Sequence, residues 1–527
     1  MAKILVADPL AEDGLERLRR AGEVTVVSKL AEDELIRRIP DFDALVVRSE
    51  TRVTAPIIEA GSRLRVVGRA GVGVDNIDVP AATRRGILVV NAPRGNIVAA
   101  AEHTIALLFS LARWVPQADA SVKRGEWTRS KFVGTEIRGK TLGVVGLGNV
   151  GSEVAKRAHG IEMDVVAFDP VVSVERAELF NVELVSLEEL LERADFITVH
   201  VPLVDSNRNL IGARELSRMK PSARLINTAR GGIVDEAALA DALSAGRLAA
   251  AASDVFVSEP PGQNRLLEMP NFIATPHIGA STAEAQVSVA FDVAEEVAAV
   301  LAGDLPRFAV NAPALPPEEL AYLRPFADLT ERLAALHSQL FGGRVSALEL
   351  DFEGDLADHD VNLLTASAIK GLLQAFTEER INAVNARLIA GNRGIRLVER
   401  RSRGHSSYSS LVTVRIAEHE IAGTVLMGEP RVVRIDLFRV DLVPDGRFLV
   451  SRHEDRPGVV GKVGSILGEH DVNIASMQVG RDAPRANAMM ILAVDDRVAP
   501  EVLQRLSEVG GMSDLRYVEL GISHSDG

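Results

Sequence analysis

The chain contains no cysteine. Disulfides, cysteine-ligated metals and thiol nucleophiles are therefore excluded, and any chemistry has to come from other side chains. A basic excess is also missing: 59 Lys and Arg stand against 73 Asp and Glu, a formal net charge of −14. That balance argues against a general nucleic-acid or anionic-membrane partner, while leaving room for a local basic pocket. No apolar run reaches the roughly 18 residues that a membrane-spanning helix needs. The opening M-A-K-I-L-V-A-D reads as a buried strand, not as a signal segment. A cytoplasmic protein with no metal and no membrane or nucleic-acid partner is the expectation. What is present is core-forming material, since 47% of the 527 residues are hydrophobic. At about 150 residues per domain this implies three or four domains.

The most telling stretch is T-L-G-V-V-G-L-G-N-V-G, Thr141 to Gly151, followed by a second apolar run that ends in Asp169. A short strand feeding G-x-G-x-x-G and then a helix is a dinucleotide cradle. Gly146 permits the tight turn, Gly148 lets backbone approach a pyrophosphate, and Gly151 lets the helix pack close to the sheet. The helix N-terminus, at Asn149 and Val150, offers free N–H groups to phosphate. Asp169 suits the ribose hydroxyls and repels a 2′-phosphate, which favours NAD.

Short apolar runs alternate with helical stretches over the first 300 or so residues. Ile4–Ala7, Val24–Val27, Ala44–Val47, Arg65–Val67 and Leu88–Val90 predict five buried parallel strands. After an apolar helix near Ile97 to Trp114 the pattern restarts. Thr141–Val145, Val165–Phe168, Phe196–Val199, Arg224–Asn227, Ala250–Ser253 and Phe272–Ala274 predict six more. A capping box at S-T-A-E, Ser281 to Glu284, opens a helix that stops near Gly303. N-A-P-A-L-P-P, Asn311 to Pro317, is a rigid linker. Beyond it, a helix over 318–341, a helical stretch over 366–390 and strands at Ala347–Phe352, Leu411–Ile416 and Val432–Phe438 predict an α+β unit. Residues 447–520 then show the order β-α-β-β-α-β, which is ferredoxin-like.

Three stretches follow strands of the second sheet: L-I-N-T-A-R-G-G (225–232), S-D-V-F-V-S-E-P-P (253–261) and A-T-P-H-I-G-A (274–280). Ligands bind at the carboxyl ends of strands in open α/β sheets, so an Arg, a Glu and a His converge there. Arg230 can clamp a carboxylate with its planar fork. His277 can carry a hydroxyl proton, and Glu259 can orient the imidazole and stabilise the imidazolium. His103, within an apolar helix, reads as a packing residue, and His200 as part of the cofactor cleft without a chemical role.

These motifs, with G-R-A-G-V-G-V-D-N-I-D (68–78) and N-A-P-x-G-N (91–96), span about residues 45–282. They resemble the D-isomer-specific 2-hydroxyacid dehydrogenases and, within them, the long-form D-3-phosphoglycerate dehydrogenases. The resemblance implies an α/β protein with two doubly wound Rossmann-like domains, an α+β intervening domain and a ferredoxin-like ACT domain. It implies a discontinuous substrate-binding domain (1–98 and 283–312), an NAD domain (99–282), an intervening domain (318–445) and an ACT domain (447–520). Arg230, Glu259 and His277 become the catalytic set. NAD contacts are implied at Val72, Gly146, Gly148, Asn149, Val150, Gly151, Asp169, Thr228, Ala229, Asp254, Gly279 and Ala280. Substrate contacts are implied at Arg48, Ser49, Gly71, Gly73, Val74 and Arg129, with Lys131 as a neighbour. The expected substrate is D-3-phosphoglycerate, oxidised to 3-phosphonooxypyruvate at the entry to L-serine biosynthesis. The alternatives are another 2-ketoacid such as 2-oxoglutarate, or an NAD-sensing corepressor-like binding protein. In the tail, His453, Asp455 and Asn473 match an effector site for L-serine, and a homotetramer is implied. The basic segment Arg400 to Tyr408 could bind an anion.

Overall fold

The computed structural model describes residues 1–527 except 29, 313–314, 344, 378–380, 405–406, 484 and 522–527. Part of the predicted linker, and His405 with Ser406 of the basic segment, lie outside the described residues.

The five N-terminal apolar runs form one parallel sheet. Its order is Gly22–Val26, Ala2–Val6, Ala44–Val47, Val66–Arg69, Leu88–Asn91. Ala44–Val47 is buried throughout, as a parallel strand covered on both faces must be. The strand order reverses between Ala2–Val6 and Ala44–Val47, which opens a crevice beside Asp8 and Arg48. The helix Ala283–Ala302 returns to this sheet. Its N-cap is Thr282, whose hydroxyl accepts from Ala285 N–H, so the cap lies one residue after Ser281. Gly303 ends it in the left-handed region, with φ 91°. Val293 and Val297 press so closely on Gly68 that a Cβ there would come within 2.8 Å of both. Arg65 locks the far end by donating to the carbonyls of Val300 and Leu301 at 2.8 and 3.0 Å.

The second sheet has seven strands, one more than the sequence predicts. Its order is Phe272–Ala274, Ala250–Ser253, Arg224–Asn227, Phe196–Val199, Thr141–Val145, Asp164–Phe168, Glu183–Leu184. The additional strand, Glu183–Leu184, has only two residues, too few to show a period. The switch between Phe196–Val199 and Thr141–Val145 places the glycine loop at the crevice. The helix Ile97–Arg113 covers one face through Ala101, Leu107, Leu108 and Leu111, and ends where Trp114 turns left-handed. Among the described residues no single helix is long and apolar enough to cross a membrane.

The third unit is a six-stranded sheet under the helices Pro317–Phe341 and Asn362–Leu373. The helical stretch predicted over 366–390 is broken into Asn362–Leu373 and Ala386–Asn392. The strand predicted at Val432–Phe438 bends at Asp436, whose φ is 49°, and becomes the hairpin Glu429–Ile435 and Phe438–Leu442. The last unit is an antiparallel sheet ordered Ile474–Arg481, Asn487–Val494, Gly446–Glu454, Met512–Leu520, with two helices on one face.

Candidate active site

Each glycine of the loop after Thr141–Val145 does a separate steric task. Gly146 has φ 97°, and a Cβ there would sit 2.7 Å from the His200 carbonyl. A Cβ on Gly151 would lie 2.0 Å from the Gly146 carbonyl, so the helix Asn149–Gly160 approaches the turn only because that atom is missing. Gly148 faces open space. Backbone is thus presented to a ligand at Gly148, and the N–H groups of the first helical turn, from Asn149 and Val150 onward, are oriented toward it. Asp169 stands at the end of the adjacent strand. It accepts from Leu147 N–H at 2.9 Å and from the N–H groups of Val171 and Val172 at 2.9 and 3.1 Å. These residues fit a dinucleotide: an open glycine, a helix start and a carboxylate held for a ribose. His200, hydrogen-bonded to Thr198 Oγ1 at 2.9 Å, is kept neutral because burial lowers its pKa to about 3.

The loops after three later strands meet as the sequence predicts. His277 Nδ1 contacts Glu259 Oε2 at 2.7 Å. Burial pushes the Glu259 carboxyl up, but the His277 imidazole and the Phe256 N–H outweigh it and hold the group below its ordinary range. His277 itself has φ 54°, a left-handed conformation rare for a residue with a side chain. Its N–H donates to the Asp254 carbonyl at 2.9 Å, which fixes the turn. Nδ1 is engaged by Glu259, so Nε2 is the nitrogen left to exchange a proton.

A cavity of about 110 Å³ opens between the two sheets beside this pair, lined by Arg48, Ser49, Arg69, Gly71 to Gly73, Asp75, Arg230, His277 and Ala280. The helix Ala283–Ala302 adds Gln286 and Val289. Arg230 reaches across from the second sheet. Its NH2 lies 2.0 Å from where a Cβ on Gly73 would stand, and its Nε donates to Asp75 at 3.0 Å. The Arg230 backbone is fixed in turn by Asn227, whose amide donates to the Arg230 carbonyl at 2.9 Å.

Two contributors were not singled out from the sequence. Arg69, at the carboxyl end of its strand, has a buried Nε with no partner among the described residues. Burial and the neighbouring Arg230 guanidinium pull its pKa down to about 10. Asp8, 2% exposed, accepts from Arg48 N–H at 2.5 Å and Thr51 Oγ1 at 2.6 Å, while Asn76 donates to the carbonyls of Arg48 and Thr51. Both sit at strand ends of the first sheet, the position that would have flagged them.

Asp254 is 1% exposed and saturated with donors. Thr275 Oγ1 lies at 2.5 Å, the N–H groups of Ile278 and Gly279 at 2.9 and 2.8 Å, and His103 Nε2 at 3.3 Å. Burial raises its pKa, but these donors win and hold it below the usual range. Its carboxylate therefore ties down the loop that carries His277. His103 corrects the packing assignment: it also meets Thr275 Oγ1 at 3.1 Å and braces the network from the helix Ile97–Arg113. Thr104, one residue on, meets Thr228 Oγ1 at 2.8 Å. Val72 and Asn91 close the other wall, Asn91 donating to the Val72 carbonyl at 2.5 Å.

Other predicted residues are not gathered here. Arg129 and Lys131 lie on the exposed turn Arg129–Phe132, with Arg129 stacked 5.8 Å over Trp127, and neither lines the cavity. In the tail, His453 is buried in a strand, and burial lowers its pKa. Asp455 accepts from Arg485 N–H at 2.9 Å, and Asn473 donates to Asp495 at 2.6 Å. In the basic segment, Arg400 pairs with Glu349 and Asp351, Arg403 with Asp358, and Arg401 donates to the His359 carbonyl at 3.1 Å.

Family comparison covers most of the chain. Residues 105–279 match the NAD-binding domain of D-isomer specific 2-hydroxyacid dehydrogenases, 322–436 the D-3-phosphoglycerate dehydrogenase intervening domain, and 447–511 the ACT domain. The D-3-phosphoglycerate dehydrogenase of Synechocystis is 47% identical over 99% of this chain and 95% of its own length. That of Archaeoglobus fulgidus is 46% identical over 98% of this chain and 100% of its own. Among solved structures, D-lactate dehydrogenase from Aquifex aeolicus, complexed with NAD and lactic acid, is 27% identical. It superposes with a TM-score of 0.53 over 59% of this chain and 99% of its own.

Proposed function

The chain belongs to the D-isomer-specific 2-hydroxyacid dehydrogenases, and from that membership we propose that this NAD-dependent enzyme oxidises D-3-phosphoglycerate to 3-phosphonooxypyruvate, the entry to L-serine biosynthesis. One observation carries the choice of acid: Arg48, Arg69 and Arg230 line a single cavity beside His277. A substrate with a carboxylate at one end and a phosphate at the other needs cationic groups at both, and guanidinium forks suit each.

NAD supplies the acceptor for the hydride. His277 Nε2 takes the hydroxyl proton while Glu259, at 2.7 Å from Nδ1, stabilises the imidazolium that forms. Arg230 holds the carboxylate and polarises the adjoining carbon–oxygen bond. Arg48 and Arg69 serve the phosphate. Asp254 keeps the His277 loop in place. The His277–Glu259 contact weighs against a sensor that binds NAD without turnover.

With NADH, 3-phosphonooxypyruvate is expected to give a kcat/KM at least about tenfold above that of 2-oxoglutarate, an advantage of about 1.4 kcal/mol. Equal or reversed specificity constants, followed by NADH absorbance, would assign the site to a dicarboxylic ketoacid. We further propose that the C-terminal ACT unit binds L-serine between copies of a homotetramer. Asn473 then exchanges its bond to Asp495 for the amino acid. Calorimetry should show L-serine binding to the wild type weakened at least about tenfold in Asn473→Ala, as expected for loss of a charge-assisted hydrogen bond. Equal binding by both proteins removes Asn473 from the site.

A further inference from the structure

The three arginines of the active-site cavity come from two different sheets and carry the same sign. Like charges repel, and more strongly where water is partly excluded, so the forks would splay apart if nothing held them. Arg69 registers the crowding: burial, Arg230 and Arg48 lower its pKa to about 10, against the opposing pull of Asp75 and Asp8. A substrate with an anionic group at each end needs those forks at one fixed spacing.

One segment runs past all three: G-V-G-V-D-N, Gly71 to Asn76. Arg69 NH1 fills the space that a Cβ on Gly71 would need, and Arg230 NH2 fills the corresponding space at Gly73. At the end of the segment, the Asn76 amide donates to the Arg48 carbonyl at 2.7 Å and to the Thr51 carbonyl at 2.6 Å. Backbone pairing ties the same two loops together. Val53 N–H donates to the Asn76 carbonyl at 2.8 Å, and Asp78 N–H donates to the Val53 carbonyl at 2.9 Å. From the other side, Asp8 accepts from the N–H groups of Arg48 and Thr51 at 2.5 and 3.3 Å. Arg48 is thus gripped twice, by its N–H on a carboxylate and by its carbonyl on an amide. Neither grip uses the guanidinium, which is left for a ligand.

We propose that Asn76 and Asp8 are positioning residues that set the chain length of the acid this site accepts, by holding Arg48 at a fixed spacing from Arg230. The inference rests on the reading that Arg230 takes the substrate carboxylate and Arg48 the anionic group at the other end. A long side chain gains precision from whatever fixes its base, and here the base of Arg48 is referenced to the same segment on which Arg230 rests. Asp8, 2% exposed, and Asn76, whose amide is committed to two carbonyls, act through Arg48 and not on the substrate. A diacid of matching length meets both forks. An acid with a single carboxylate uses only the Arg230 end and is blind to the spacing.

The test separates the two ends of the substrate, using the full-length enzyme and NADH. Oxamate, with one carboxylate and no distal anion, probes the Arg230 end as a competitive inhibitor. The diacid probes are 3-phosphonooxypyruvate and 2-oxoglutarate, and the variants are read on whichever wild type prefers. In Asn76→Ala the KM for that diacid should rise at least about tenfold, the scale of a binding group displaced from its productive position, while kcat and the oxamate inhibition constant stay within about threefold of wild type. Asp8→Asn, an isosteric change in the opposite grip, should give the same split, and it keeps the experiment decisive if Asn76→Ala does not fold. A merely structural role would move diacid KM, kcat and oxamate inhibition together, and that result overturns the proposal. Arg48→Gln tells the two possible failures apart. An unchanged diacid KM in Arg48→Gln rejects the underlying reading of the cavity. A raised KM in Arg48→Gln, with none in Asn76→Ala or Asp8→Asn, rejects the positioning role alone.

Discussion

His277→Ala is expected to lower turnover by about 10²–10⁴-fold and to leave NADH affinity near that of the wild type. The imidazole holds no part of the glycine cradle. It stands at the end of a different strand, with Nδ1 committed to Glu259 and Nε2 left for the proton. Fluorescence titration of NADH separates binding from chemistry, and turnover within about threefold of wild type, far short of a general-base loss, would reject the role. Glu259→Gln sharpens the assignment through pH. The Glu259 carboxyl lies below its ordinary range, so its favourable contact with His277 is present at neutral pH and is lost only as pH falls through that depressed value. Replacing it with a neutral amide removes the charge that stabilises imidazolium. The plateau of the oxidation rate is therefore expected to fall, and a plateau unchanged in Glu259→Gln would show that Glu259 contributes nothing to the proton step.

Arg230→Gln should cost about 3–4 kcal/mol in kcat/KM, roughly 10²–10³-fold, because it removes one partner of a desolvated charge pair. Arg230→Lys restores the charge but not the planar fork, and should remain at least about tenfold impaired. Steady-state kinetics against the keto acid is the measurement. A lysine variant with wild-type kcat/KM would show that Arg230 acts only as a point charge. The NADH titration of both variants should match wild type, since the Arg230 side chain lies against Gly73 and Asp75 of the first sheet.

Much of this site was legible in the sequence for a geometric reason. In a doubly wound sheet the carboxyl end of every strand faces the same crevice, so Arg230, Glu259 and His277 announce themselves by following strands. The glycines are legible because each replaces a Cβ that would collide with backbone or bar a ligand. Arg69 obeys the same strand-end rule, but it sits inside a glycine-rich motif whose neighbours draw the attention. His103 is a different failure. It sits with Glu102 and Thr104 in an otherwise largely apolar helix, and its meaning depends on Asp254, a partner supplied from the distant end of another strand. The predicted strand Val432–Phe438 hid a turn because Asp436 and Leu437 interrupt the alternation for only two residues. Arg129 belongs to a segment with few packing contacts of its own, so position along the chain does not determine which cavity it serves.

The Arg230–Asp75 bridge has a consequence for selectivity. Asp75 is the more exposed partner, at 71% against 30% for Arg230, so it can swing into water at small cost. If Arg230 clamps the substrate carboxylate as proposed, Asp75 is an internal placeholder, held against the guanidinium until another carboxylate takes over the same fork. Entry of a hydroxyacid is then an exchange of like for like, with no net change in charge at that end of the cavity. A plain alcohol has nothing to offer in the exchange and meets an arginine already satisfied. The doorway thereby admits acids by substitution, before any chemistry begins.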